Sequence, residues 1–151
     1  MEVHGANGYF IDQFLRDGSN KREDQYGGDY KNRTHFLFDV LKTVTAVWAS
    51  DRVGVRLSPS ISFNSMSNSN SEALFNYVVK GLNPLNLAYV HVLEGGIHVD
   101  NYIADNYFNY SGLHNIYTGT YMANNGYNKD SANQAMKVSS TQSNFNCYIR
   151  C

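Results

Sequence analysis

Neither sign of charge dominates this sequence, no apolar run approaches the length of a membrane span, and cysteine is nearly missing. Twelve Lys and Arg against 13 Asp and Glu leave a formal charge of −1, so nothing in the balance steers the chain toward polyanions or anionic membranes. Nucleic acid and membrane are set aside as partners. The amino end, Met1 to Tyr9, has neither the basic head nor the apolar stretch of a signal peptide, and a soluble cytoplasmic setting is the expectation. The two cysteines, Cys147 and Cys151, fall in the last five residues, where a bridge would close only a tiny loop and stabilise little. A lone C-x-x-x-C without nearby histidines is also a poor metal site, so both read as free thiols. No internal repeat is visible. The 151 residues suffice for a real core but fall well short of the roughly 250 of a complete eight-stranded α/β barrel.

What is present is an alternation of short strands and helices. Glu2-Val3-His4 running into Gly5-Ala6-Asn7-Gly8 reads as the tail of a strand opening into a turn. After a polar loop, Arg16 to Gly28, Asp29 can cap a helix whose apolar positions Leu37, Val40, Leu41, Val44, Val47 and Trp48 recur at helical spacing. Arg52 to Ser58, stopped by Pro59, is a β-branched run that suits a buried strand, and a helix capped by Ser71 with Glu72 in its first turn leads to a strand over Leu87 to Leu93. This order with short links predicts parallel βαβ units with the helices outside. Beyond Glu94 a Tyr- and Asn-rich stretch precedes a possible strand at Thr120 to Ala123 and a helix over Asp130 to Lys137. From Val138 onward no period survives, so residues 138–151 are expected to be unstructured.

Working residues in α/β folds sit just past the carboxyl ends of the strands, which singles out three places. His4, Asn7 and Tyr9 bring an imidazole, an amide and a phenol to one strand end, a set able to hold a carbonyl oxygen and supply a proton. The same residues also make an ordinary turn. Arg56 is a cation closing an otherwise apolar strand, where something negative should meet it: a neighbouring carboxylate, or the anionic ring or phosphate of a cofactor. Asn125 and Gly126 follow the last candidate strand, where backbone N–H groups could hold phosphate or simply turn the chain.

Together these stretches resemble the Old Yellow Enzyme family in order and spacing. Val3-His4-Gly5-Ala6-Asn7-Gly8-Tyr9-Phe10-Ile11-Asp12-Gln13-Phe14-Leu15 is similar to that family's segment after the fourth barrel strand. So is Ser19 to Gly28 with its Tyr26-Gly27-Gly28, followed by Asn32-Arg33. Arg56-Leu57-Ser58-Pro59 resembles the end of the fifth strand and Tyr89 to Glu94 the sixth. The likeness is strong over residues 1 to 95 and faint over 113 to 136. It implies an α/β fold, a partial (β/α)8 TIM barrel of about the fourth to seventh strand-helix units with an irregular C-terminal tail, divided as residues 1–137 and 138–151. It also implies FMN as cofactor and NAD(P)H as reductant, with an enone, quinone, nitro compound or other small electrophilic alkene as substrate. His4 and Asn7 fall where the family binds the substrate's carbonyl oxygen, Tyr9 where it places the proton donor, and Arg56 where an arginine contacts the flavin ring. Asn125 and Gly126 fall at the phosphate site.

The departures matter too. Asn125-Gly126-Tyr127 stands where the family has paired small residues before an aromatic, and its later Gly-Arg pair has no counterpart in Val138 to Cys151. A barrel missing about half its strands exposes two sheet edges, so the chain alone is expected to bind FMN weakly and turn over little. Two alternatives stay open: a dienoyl-CoA reductase-like barrel flavoprotein, and a non-catalytic remnant of the fold. Oligomeric state is not indicated.

Overall fold

Short β-branched runs alternating with amphipathic stretches fold as parallel strands backed by helices. The computed structural model, which describes residues 1–94, 108–139 and 145–147, has that order. Its elements are β1 (Glu2–Gly5), α1 (Phe10–Leu15), α2 (Tyr30–Val47), β2 (Gly54–Leu57), α3 (Ser71–Leu82), β3 (Tyr89–Leu93), α4 (Tyr110–Ile116), β4 (Tyr121–Asn124), α5 (Lys129–Ser139) and β5 (Phe145–Cys147). The strands form one parallel sheet in chain order. All carboxyl ends therefore lie along one edge.

The two-residue period of a strand sorts the side chains. Val3, Val55, Leu57, Val90, Val92, Tyr121 and Ala123 are buried against Leu37 and Leu41 of α2, Leu74, Phe75, Val78 and Leu82 of α3, and Leu113 of α4. The opposite parity carries Glu2, His4, Arg56, Tyr89 and His91, and the register sets His4, Arg56, His91 and Met122 directly abreast. One face of the sheet is thus core and the other largely polar.

The Asp29 side chain accepts from Asn32 N–H at 2.8 Å, as its sequence position predicts for an N-cap. In the polar loop before it, Asn20 Nδ2 donates to Phe14 O at 2.6 Å and Tyr26 O at 2.7 Å, so one amide gives an irregular segment its shape. Among the described residues no helix is long and apolar enough to cross a membrane.

Four expectations need correcting. Val47 and Trp48 continue the apolar spacing of α2 but are 78% and 51% exposed, at the point where the helix ends. Asn70, not Ser71, caps α3, accepting from Ala73 N–H at 2.9 Å. Two short helices, α1 and α4, lie in stretches to which the sequence assigned no element; for α4 the available signal is Asn109, which caps it through Gly112 N–H at 3.0 Å. The stretch from 138 to 151 is not wholly unstructured: α5 runs to Ser139 and Phe145–Cys147 pairs in parallel with Tyr121 to Ala123. A three-residue strand is too short to show a period, and pairing with β4 forms it where local propensity does not. The Tyr- and Asn-rich residues 98–107 and Cys151 lie outside the described residues.

Leu41, fully buried, and Val47 are both apolar positions of one helix, and they should part in urea unfolding. Leu41→Ala is expected to cost about 2–5 kcal/mol, and Val47→Ala less than about 0.5 kcal/mol.

Candidate active site

The loop leaving β1 begins with two left-handed residues, Asn7 (φ 58°) and Gly8 (φ 67°). At position 8 a side chain is excluded twice over, by φ and because a Cβ would lie 2.5 Å from Phe63 O. This close approach stitches the loop after β1 to the loop after β2. Asn7 N–H donates to Ser58 Oγ at 2.7 Å, and Asn64 Nδ2 donates to Asn7 O at 3.0 Å. Gly8 N–H donates to Asp12 Oδ2 at 2.9 Å, and Gln13 Nε2 to Gly8 O at 2.7 Å.

Beneath the loop lies a buried ion pair. Asp12 and Arg16 are 0% and 2% exposed, with Arg16 Nε 2.9 Å from Asp12 Oδ1. The guanidinium also donates to Pro59 O at 3.2 Å and Ser58 O at 2.5 Å, and it sits 4.8 Å over the Phe75 ring. Ser58 is two residues beyond Arg56, so the pair fixes the Asn7 loop relative to the strand that carries the arginine.

On the polar sheet face His4 stands abreast of Arg56, and its ring lies 5.4 Å from that of Tyr9. Tyr9 is 52% exposed. Partial burial, then the Arg56 cation, hold the His4 imidazole below its ordinary pKa, which favours the neutral ring. Of the two partners the sequence left open for Arg56, no carboxylate meets it among the described residues. Among the described residues Arg56 makes no ion pair, and its buried Nε has no hydrogen-bond partner. On its other flank stands His91, 9% exposed, with Nδ1 2.9 Å from Glu2 Oε2 and Nε2 unpartnered. Asn7 Oδ1 is likewise unpartnered. An unpaired cation and orphaned polar atoms in adjacent strands are what an electron-rich, hydrogen-bonding ligand would complete, so these residues fit a flavin ring.

His4, Asn7, Tyr9 and Arg56 are thus brought together, whereas Asn125 and Gly126 lie two strands from Arg56, roughly 10 Å along the sheet. Both are left-handed, at φ 75° and 79°. The Asn125 N–H already donates to Asn124 Oδ1 at 2.6 Å, and the first turn of α5 is capped by Asn128, which accepts from Asp130 and Ser131 N–H. An anion here would displace side-chain oxygens. Sequence reasoning missed Glu2, His91, Asp12, Arg16 and Ser58. Strand parity with His4 and Arg56 could have found the first two.

The sequence profile of the NADH:flavin oxidoreductase / NADH oxidase family matches residues 1–143. Among curated relatives, a putative 12-oxophytodienoate reductase 11 of Oryza sativa subsp. japonica is 38% identical over 93% of this chain and 38% of its own length. A probable flavin mononucleotide-dependent alkene reductase of Leishmania infantum is 48% identical over 63% of this chain and 26% of its own length. The structure of the old yellow enzyme homologue from Zymomonas mobilis superposes with a TM-score of 0.86 at 31% identity, covering 99% of this chain and 41% of that one. The chain therefore spans between about a quarter and two fifths of these relatives, a share that fits part of a barrel.

Two measurements test the geometry. Asp12→Asn leaves Arg16 buried without a counter-charge, and urea unfolding should show a loss of about 3–5 kcal/mol. Because the fold favours neutral His4, acidification through the ordinary histidine range, near about 6.5, should erode stability. An NMR titration should place the His4 midpoint below that value, and Arg56→Met should raise it.

Proposed function

The chain belongs to the NADH:flavin oxidoreductase / NADH oxidase family, and from that premise we propose that it carries the substrate side and part of the flavin surface of an FMN-dependent, NAD(P)H-driven reductase of activated alkenes. In this reading β1 to β4 are the fourth to seventh strands of the barrel, and substrates are enones, quinones or nitro compounds. The observation that carries it is Arg56, its buried Nε unpartnered among the described residues, abreast of His4 and beside the loop that holds Asn7 and Tyr9.

When bound, FMN supplies hydride, taken from NAD(P)H, to the β-carbon of the alkene. Arg56 holds the electron-rich edge of the ring with its guanidinium. His4 and Asn7 donate hydrogen bonds to the substrate's carbonyl oxygen, where negative charge develops. A neutral imidazole keeps one N–H for this, and the lowered pKa of His4 favours that form. Tyr9, with an exposed phenol, protonates the α-carbon. The left-handed turn at Asn125 and Gly126 would offer the phosphate its backbone amides, that of Asn125 by giving up Asn124 Oδ1. The alkene reductase and 12-oxophytodienoate reductase among the relatives support the reaction class.

A flavin titration of the chain and its Arg56→Met variant tests this. Loss of one charge-assisted contact to the ring is expected to weaken FMN and riboflavin alike, by about tenfold. A variant that titrates like the wild type would sink the role of Arg56. Tyr9→Phe should leave flavin affinity in place and lower alkene-dependent NADPH oxidation by about a hundredfold.

A further inference from the structure

At the end of β3 the chain holds a carboxylate where solvent hardly reaches, the Glu94 side chain being 7% exposed. A carboxylate so placed is costly unless several donors meet it. Three groups do. His114 Nε2 lies 2.8 Å from Oε1, the Tyr121 hydroxyl donates to the same oxygen at 2.7 Å, and the Tyr127 hydroxyl donates to Oε2. Burial first, and then the carboxylate, hold the Tyr121 phenol well above its ordinary pKa, so it remains a donor. The Glu94 backbone N–H donates in turn to Asn124 O at 2.9 Å.

Two of these bonds bracket a turn. Asn124 precedes and Tyr127 follows Asn125 and Gly126, both of which have positive φ. Asparagine and glycine reach that conformation at low cost but also leave it readily, so the pose of the turn depends on what holds its two ends. Glu94 grips the chain on either side of Asn125, with its backbone on one flank and its carboxylate on the other. The other contacts of the carboxylate, on α4 and β4, tie the grip to rigid elements.

We propose that Glu94 is a positioning residue for flavin binding, holding the Asn125–Gly126 turn in the pose that meets the phosphate. The proposal rests on the reading of that turn as the phosphate site. Glu94 touches no reacting atom, and its effect is confined to the phosphate end of the cofactor.

Riboflavin, which has the ring and ribityl chain of FMN but no phosphate, separates the two ends. Tyr127→Phe removes the hydroxyl that links the carboxylate to the far side of the turn, while Glu94→Leu removes the acceptor for three groups. Micromolar FMN or riboflavin is titrated with rising concentrations of the 151-residue chain and read by flavin fluorescence. Both variants are expected to weaken FMN about tenfold and to leave riboflavin within about twofold of wild type. An unchanged FMN affinity in Tyr127→Phe, or an equal loss for both flavins, overturns the positioning role alone. A wild-type chain with no preference for FMN over riboflavin, or no binding of either, overturns the phosphate reading and the proposal with it. If Glu94→Leu fails to fold, Tyr127→Phe decides.

Discussion

The guanidinium of Arg16 has almost no access to water, and each of its contacts belongs to a different part of the site. Asp12 binds it from α1, the carbonyls of Ser58 and Pro59 bind it from the end of β2, and Phe75 of α3 covers its face. Two charges so deeply buried are tolerated only with their hydrogen bonds filled. The arrangement therefore has little room to shift. Because Asp12 also holds Gly8 N–H, and Ser58 also holds Asn7 N–H, the relative placement of Asn7 and Arg56 follows from this pair. The apolar packing behind the sheet gives stability; the ion pair gives the site its dimensions.

The sheet turns its other parity to a different use. Glu2, His4, Arg56 and His91 sit on one face of three adjacent strands, a density of polar groups that would be unfavourable were the face closed by apolar side chains. Glu2 on β1 reaches His91 on β3, and the Tyr89 ring lies over Gly54 between their strands. Arg56 is left between them as a cation among histidines, without a carboxylate of its own among the described residues.

Much of this was legible in the chain. The β-branched runs gave β2 and β3, Asp29 gave the start of α2, and the strand-end rule led to His4, Asn7, Tyr9 and Arg56. The rest was hidden for identifiable reasons. Asp12 and Arg16 stand four apart, the spacing of an ordinary surface pair on a helix, and nothing local says that this pair is buried. The contacts of Glu94 come from residues 20, 27 and 33 positions along the chain, a convergence that only the folded sheet creates. α1 has no side-chain cap, and β5 exists through its pairing with β4.

The left-handed backbone at Asn7 also bears on how such a site could diversify. His4 occupies an exposed strand position that accepts many side chains without disturbing the sheet. Asn7 is clamped through both its N–H and its C=O in a conformation that few residues other than Asn, Asp and Gly adopt at low cost. The two residues that would share one carbonyl oxygen are therefore unequal in evolutionary freedom: chemical variety can enter through position 4, whereas position 7 has a vocabulary of about three amino acids.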